Sequence, residues 1–288
     1  MAHAESGSTQ TASWNEILTT ARTYQYDRYL AATLSPRQVR DDLIVLAAFA
    51  GEMDRIPWSA SEPTIGAIRL QWWRDALSTG DAQATGNPLA DKLHACMARH
   101  HLPIAQVLGY IDAQELELYS DPVPDLAQLN IHFTKRDGTL FALAARILGG
   151  GEGGNRHAAV ADAAQSYGLA KTLAEFSLRR RSRQLLLPDD HLRAAGVDPA
   201  EPERADAAAV KILLGELAEQ AEARHEQQEA ARAALDRATR TAILPAALTP
   251  VYLDHVRRQL DAAKPSDTGP APLKRAWSML LAYLRGRF

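Results

Sequence analysis

With 288 residues, 46% of them hydrophobic and 23% charged, the chain can form one large domain or two ordinary ones around a sizeable core, which excludes whole-chain disorder. A formal net charge of −3 gives no global basic field, so nucleic acid is excluded as a partner. The lone Cys96 excludes an internal disulfide framework and a zinc cluster built from cysteines, and it points to a reducing compartment.

Alanine, leucine, arginine, glutamate and glutamine dominate, and no stretch alternates as a strand would, so the expectation is an all-α protein. The polar segment 1–13 lacks the basic and apolar regions of a signal peptide and the arginines of a transit peptide, and is expected to be a disordered tail. A single helical domain is expected over 14–288. Its first helix runs from Trp14 to Thr33 and ends at Leu34-Ser35-Pro36, where Ser35 can cap a second helix reaching Arg55 and stopping before Pro57. Pro63 opens a third, through Trp72, Trp73 and Leu77, ending near Gly80. Leu89 to His100 and Pro103 to Tyr119 follow, then Leu126 to Leu148, closed by Gly149 to Gly151. That glycine-rich loop lacks the lysine and the spacing of a phosphate-binding loop. Ala158 to Arg183, Asp206 to Leu244 with a kink at Gly215, Pro250 to Ala262 and Leu273 to Leu284 complete the series. Short proline and glycine breaks between helices suit one large bundle. No apolar run reaches the roughly 20 residues that cross a bilayer, which points to the cytoplasm.

The densest information lies between Tyr24 and Leu77. It comprises Tyr26-Asp27-Arg28-Tyr29-Leu30, Arg40, the run Leu46 to Arg55, Glu62-Pro63 and the tract Arg69-Leu70-Gln71-Trp72-Trp73-Arg74-Asp75-Ala76-Leu77. With Asn87-Pro88, Gly138-Thr139-Leu140, Gly168-Leu169-Ala170, Leu185 to Asp190, Pro245 and Tyr252, this series resembles the squalene/phytoene synthase family from about Trp14 to the C-terminus. The resemblance implies a bundle of the isoprenoid synthase type and head-to-head condensation of prenyl diphosphates. In that chemistry two acidic helical faces hold Mg²⁺, which binds the departing diphosphate.

Both acidic segments depart from the family's pattern. Asp54 matches the first acid after Phe49, but Arg55 falls on the second and Trp58 on the third. Glu52, two residues before Asp54, points well away from it on an ideal helix. The second segment, Lys171 to Arg183, holds one acid, Glu175, and four arginines. Glu52 and Arg55 stand at i,i+3 and Glu175 and Arg179 at i,i+4, so ion pairs are expected where the enzymes keep carboxylates for metal. In this the chain resembles the branch of complex I assembly factors, whose members lack the second acidic segment.

The candidate diphosphate- or ligand-binding residues are therefore Glu52, Asp54, Arg55, Arg69, Trp73, Glu175, Arg179, Arg180 and Arg183, with no metal ligand assigned. The arginines fit either a diphosphate site or a solvated helix end. Glu52 and Asp54 fit either residual ligands or a salt-bridged face. Of Trp72 and Trp73, at most one can point deeply inward. His94, His100 and His101 do not make a ligand set: His100 and His101 are adjacent, no acid completes a metal-binding helix motif, and structural or exposed histidines are expected. The basic amphipathic stretch 273–288 fits either an anionic membrane surface or ordinary docking on the bundle. Two functions are carried forward. One is a non-catalytic isoprenoid- or lipid-binding or respiratory complex I assembly-type factor, without cofactor, cytoplasmic or peripheral at the inner membrane. The other is a divergent prenyl diphosphate transferase, which alone would call for Mg²⁺.

Overall fold

The structure is a computed structural model that describes residues 2–60, 62–78, 85–119, 123–150, 154–182, 185–262 and 268–286, without the side chains of 2–10 and 154–155. The described residues contain no strand; one isolated parallel bridge joins Val123 and Pro188. The all-α expectation holds. Packing divides the chain into two compact units: Met1–Leu118 with Arg146–Gly149, and Tyr119–Ala145 with Gly150–Phe288. Where the sequence suggests one domain over 14–288, each unit is described by itself.

The first unit contains α1 (Ala2–Tyr24), α2 (Tyr26–Leu34), α3 (Arg37–Ser59), α4 (Pro63–Ser78), α5 (Pro88–His100) and α6 (Ile104–Glu115), the last followed by a 3₁₀ turn at Leu116–Leu118. Helix α3 is central and packs against the other five. Every residue from Asp42 to Gly51 is buried, as expected of a helix that is apolar all round. A Cβ on Gly51 would stand 3.1 Å from Tyr24 Cβ, which marks how closely α1 approaches α3. Residues 2–13, expected to be part of a disordered tail, lie in α1, which begins at Ala2.

Several boundaries differ from those the sequence suggests. The Trp14 to Thr33 helix breaks at Gln25, whose backbone leaves the helical region at φ −129° and ψ 49°. Ser35 does not cap α3; its Oγ donates to the carbonyl of Ala31, 2.8 Å away, and Pro36 takes the cap position. Helix α3 continues through Pro57 to Ser59, although the proline has no amide to donate to the carbonyl of Met53. Asn87 does cap α5: its side chain accepts from the amides of Leu89 and Ala90, and Pro88 sits at the first helical position.

The second unit begins with α7 (Leu126–Phe133), a π-turn at Thr134–Gly138 and α8 (Thr139–Ile147), where the sequence pattern suggests a single uninterrupted helix. Next come α9 (Gly154–Ala174), α10 (Phe176–Arg181) and α11 (Asp189–Ala194). After them lie α12 (Ala207–Ala231), α13 (Arg237–Ala242), α14 (Thr249–Asp261) and α15 (Pro272–Arg285). The expected Ala158 to Arg183 helix breaks at Glu175, with φ −90° and ψ 0°. The expected Asp206 to Leu244 helix ends at Ala231, passes Gly215 without a break, and resumes at Arg237, where Asp236 caps α13. Helix α9 is the hub, packed against α12, α14, α7 and the π-turn. Gly168 allows the closest approach, since a Cβ there would meet the Phe133 ring at 2.5 Å.

Candidate functional site

The last turns of α3 and the middle of α4 bound a cleft of about 320 Å³ in the first unit. Its walls are Glu52, Arg55, Ile56, Ser59, Arg69, Trp72, Trp73 and Asn87. Four sequence-predicted residues, Glu52, Arg55, Arg69 and Trp73, therefore meet in one place. Helical spacing explains the grouping. Glu52, Arg55, Ile56 and Ser59 recur at three and four residues along one face of α3, and Arg69, Trp72 and Trp73 do the same on α4. Trp73 is buried and stacks edge-on against Phe49, with centroids 5.3 Å apart; Trp72 is exposed and lies edge-on to Trp73 at 5.1 Å. As expected of neighbours on a helix, only one of the two is deeply inward.

Charge in the cleft is held by its own walls. Arg55 Nη1 donates to Glu52 Oε1 at 3.1 Å, the predicted i,i+3 pair, and its guanidinium lies 5.3 Å from the Tyr24 ring centroid. Arg69 Nη1 donates to Ser59 Oγ at 2.8 Å. Two guanidinium groups and one carboxylate leave a net positive rim beside an indole wall.

Asp54, the residue that matches the family's first acid, does not line this cleft. Gln25 Nε2 donates to its Oδ2 at 2.5 Å, and Tyr110 Oη approaches its Oδ1 at 3.5 Å. Gln25 and Tyr110 are both buried, and Tyr110 stacks on Phe49 at 5.6 Å. The same break that ends α1 thus supplies the amide that holds Asp54. Nothing in the spacing of Gln25 or Tyr110 signals this role.

In the second unit, Glu175 sits at the break between α9 and α10, and its Oε2 accepts from Arg179 Nε at 3.1 Å. Arg179 is buried, as a long side chain on an ordinary solvated helix end would not be. Arg180 Nη2 donates to the carbonyls of Glu203 and Ala205, at 2.7 and 3.0 Å, and straps the turn Pro202–Arg204. Arg183 lies outside the described residues. The π-turn carries a buried pair that the sequence does not mark: Arg136 donates through Nε and Nη2 to Asp137 Oδ2, both at 3.0 Å. A π-turn inside a helix often marks a functional or strained position. Here it coincides with the tight approach of Gly168, where a Cβ would also stand 3.1 Å from Asp137 Oδ2.

Comparison with known proteins places this geometry in a family. The family model for squalene/phytoene synthase matches residues 21–277. The chain belongs to the squalene/phytoene synthase family. Among relatives within reach of sequence comparison is the NADH dehydrogenase (ubiquinone) complex I assembly factor 6 of Rattus norvegicus, 28% identical over 170 residues, or 59% of this chain and 51% of that protein. The Homo sapiens protein of the same name is 26% identical over 177 residues, covering 61% and 53%. The chain spans about half the length of these curated relatives. A squalene synthase, HpnC, from Alicyclobacillus acidocaldarius superposes with a TM-score of 0.71 at 15% identity, covering 90% of this chain and 97% of that one. A dehydrosqualene synthase in complex with ligand superposes at 0.74 with 13% identity, covering 96% and 98%. At such identities the structures establish the fold, which is of the isoprenoid synthase type.

Proposed function

We propose that this squalene/phytoene synthase family member is a non-catalytic binding or assembly factor that serves a respiratory complex client. The observation that carries the reading is the fate of the carboxylates. Glu52 faces Arg55, Asp54 accepts from Gln25, and Glu175 accepts from Arg179. Magnesium requires several convergent oxygen ligands in near-octahedral geometry, whereas Glu52 and Asp54, both on α3, turn to different partners and Glu175 is the one acid of its segment. The donor set on these helices does not suit the Mg²⁺ cluster that the family's chemistry implies. Similarity to proteins named complex I assembly factor 6 supports the choice of client.

The cleft suits a ligand with an anionic head and an apolar body, such as a prenyl diphosphate or a related lipid phosphate. Arg55 and Arg69 can donate forked hydrogen bonds to phosphate oxygens, while Trp72, Trp73 and Ile56 offer apolar surface to an isoprenoid chain. The two arginines also support the second reading, a divergent transferase in which guanidinium charge replaces metal.

A peripheral site of action at the inner membrane belongs to the same proposal. No helix among the described residues is long and apolar enough to cross a membrane. Helix α15 exposes Leu273, Trp277 and Leu284, three apolar side chains spaced along one face. Two of its cations are engaged: Lys274 Nζ donates to Asp254 at 2.5 Å, and Arg275 lies 5.7 Å from the Tyr252 ring centroid. Sedimentation with anionic liposomes is expected to weaken when Leu273 and Trp277 are both changed to Ser.

Incubation with farnesyl or geranylgeranyl diphosphate and Mg²⁺, followed by assay of released pyrophosphate, separates the two readings. The assembly reading predicts no release, together with loss of respiratory complex I on gene deletion. Turnover would establish the transferase.

A further inference from the structure

Nearly three turns before Glu52 on α3, and so about 15 Å along its axis, stands a second cluster of reactive side chains. Cys96 and His100 are four residues apart on α5 and share one helical face. Helix α5 packs against α3, and that face meets Asp42. One atom from each residue, a carboxylate oxygen, Sγ and a ring nitrogen, lies within 4.8 Å of the other two. Among the described residues this is the one group of three or more such side chains at that spacing. His100 Nε2 stands 2.7 Å from Asp42 Oδ2. Asp42 and Cys96 are buried, and the His100 side chain is only 14% exposed.

We propose that Asp42, Cys96 and His100 form a binding site for a borderline-soft divalent cation of the Zn²⁺ class. Thiolate, imidazole nitrogen and carboxylate oxygen are the ligand types that zinc selects, and three protein ligands leave a fourth position for water or another ligand. Magnesium, which demands oxygen donors, is excluded by the sulfur and the nitrogen. A single cysteine suffices, because the other two ligands come from different residue types.

Without a cation the cluster has an internal countercharge. Arg99 Nη1 donates to both Asp42 oxygens, at 2.6 and 2.8 Å, from a side chain that is 60% exposed. Cation binding forms the metal–sulfur bond as the thiol proton leaves to solvent. His100 would offer the ring nitrogen Nε2 that now faces Asp42. Arg99 holds both carboxylate oxygens, and the cation would have to displace it from one of them.

Cobalt titration of the full-length, chelator-treated protein tests the site, with Zn²⁺ as competitor. The expected result is one equivalent of Co²⁺ with a near-ultraviolet thiolate charge-transfer band and tetrahedral visible bands, displaced by Zn²⁺. The charge-transfer band should be lost in Cys96→Ser, and binding weakened in His100→Ala. Arg99→Ala removes the countercharge of the buried Asp42 and is expected to cost stability, so with its fold verified by circular dichroism it should bind about tenfold more tightly, since a cation a few ångströms from the site has been removed. Absence of the band in the unmodified protein, its persistence in Cys96→Ser, or no gain of affinity in Arg99→Ala would overturn the assignment.

Discussion

If Asp54 serves the fold, removing it should cost stability. Asp54→Ala deletes the acceptor of Gln25 Nε2, a bond of 2.5 Å to a residue that is only 5% exposed. The Tyr110 contact at 3.5 Å is too long to add much. A hydrogen bond to an ionised group contributes about 1.5–3 kcal/mol, and a buried donor stripped of its acceptor costs about 1–3 kcal/mol. These describe one loss from two sides, so about 2 kcal/mol is expected. With a urea dependence of about 2 kcal/mol per molar, the unfolding midpoint should fall by roughly 1 M. Trp14, Trp58, Trp72 and Trp73 all lie in the first unit, so intrinsic fluorescence in a Trp277→Phe background reports that unit alone. Gln25→Ala should lose about the same amount, and the double variant little more than either single one, as for two ends of one interaction. The reasoning is refuted if Asp54→Ala stays within about 0.5 kcal/mol of the parent yet abolishes prenyl diphosphate binding.

Further outcomes follow from the same geometry. Gly168→Ala drives a methyl group into the Phe133 ring at 2.5 Å. Overpacking of about 1–3 kcal/mol outweighs a helix-propensity gain of up to about 1 kcal/mol; calorimetry should show a lower melting temperature, and an unchanged one would count against the tight approach of α9 to the π-turn. Arg69→Ala should weaken inorganic pyrophosphate binding by about tenfold with little change in stability, because its partner Ser59 is exposed. Equal titration curves would remove Arg69 from the ligand site. His225 and His255 have their basicity lowered, chiefly by burial, below the ordinary 6.5. The unfolded chain then binds more protons than the folded one, so the stabilisation is complete above 6.5 and is lost as the pH falls from there toward the folded-state values. Urea midpoints should decline over that range in the parent and decline less in His225→Leu.

Much of the molecule is legible in the sequence where local rules decide. The Glu52–Arg55 and Glu175–Arg179 pairs and the inward turn of one tryptophan depend on spacing along a single helix. What is not legible depends on partners far away in the chain. Ser35 has the composition of a cap, yet its hydroxyl turns back to Ala31. The break at Gln25 has no proline or glycine to mark it, and it makes sense only once Asp54, 29 residues later, is seen to accept from the Gln25 side chain. The π-turn hides inside an uninterrupted helical pattern, because its buried Arg136–Asp137 pair reads as ordinary charge. His100 forms no ligand set with the other histidines of its segment, and finds its neighbours instead in Cys96 on its own helix and Asp42 on α3. That grouping requires the register of α5 on α3, which no single segment encodes.

The proposed function rests on Glu52, Asp54 and Glu175 being engaged by Arg55, Gln25 and Arg179 and so not forming a Mg²⁺–diphosphate site. Calorimetric titration of the full chain with a non-hydrolysable farnesyl diphosphate analogue, with and without Mg²⁺, tests this most directly. The account predicts that any binding is the same under both conditions and depends on Arg55 and Arg69. Tight binding that appears only with Mg²⁺ and disappears in Asp54→Ala would contradict it.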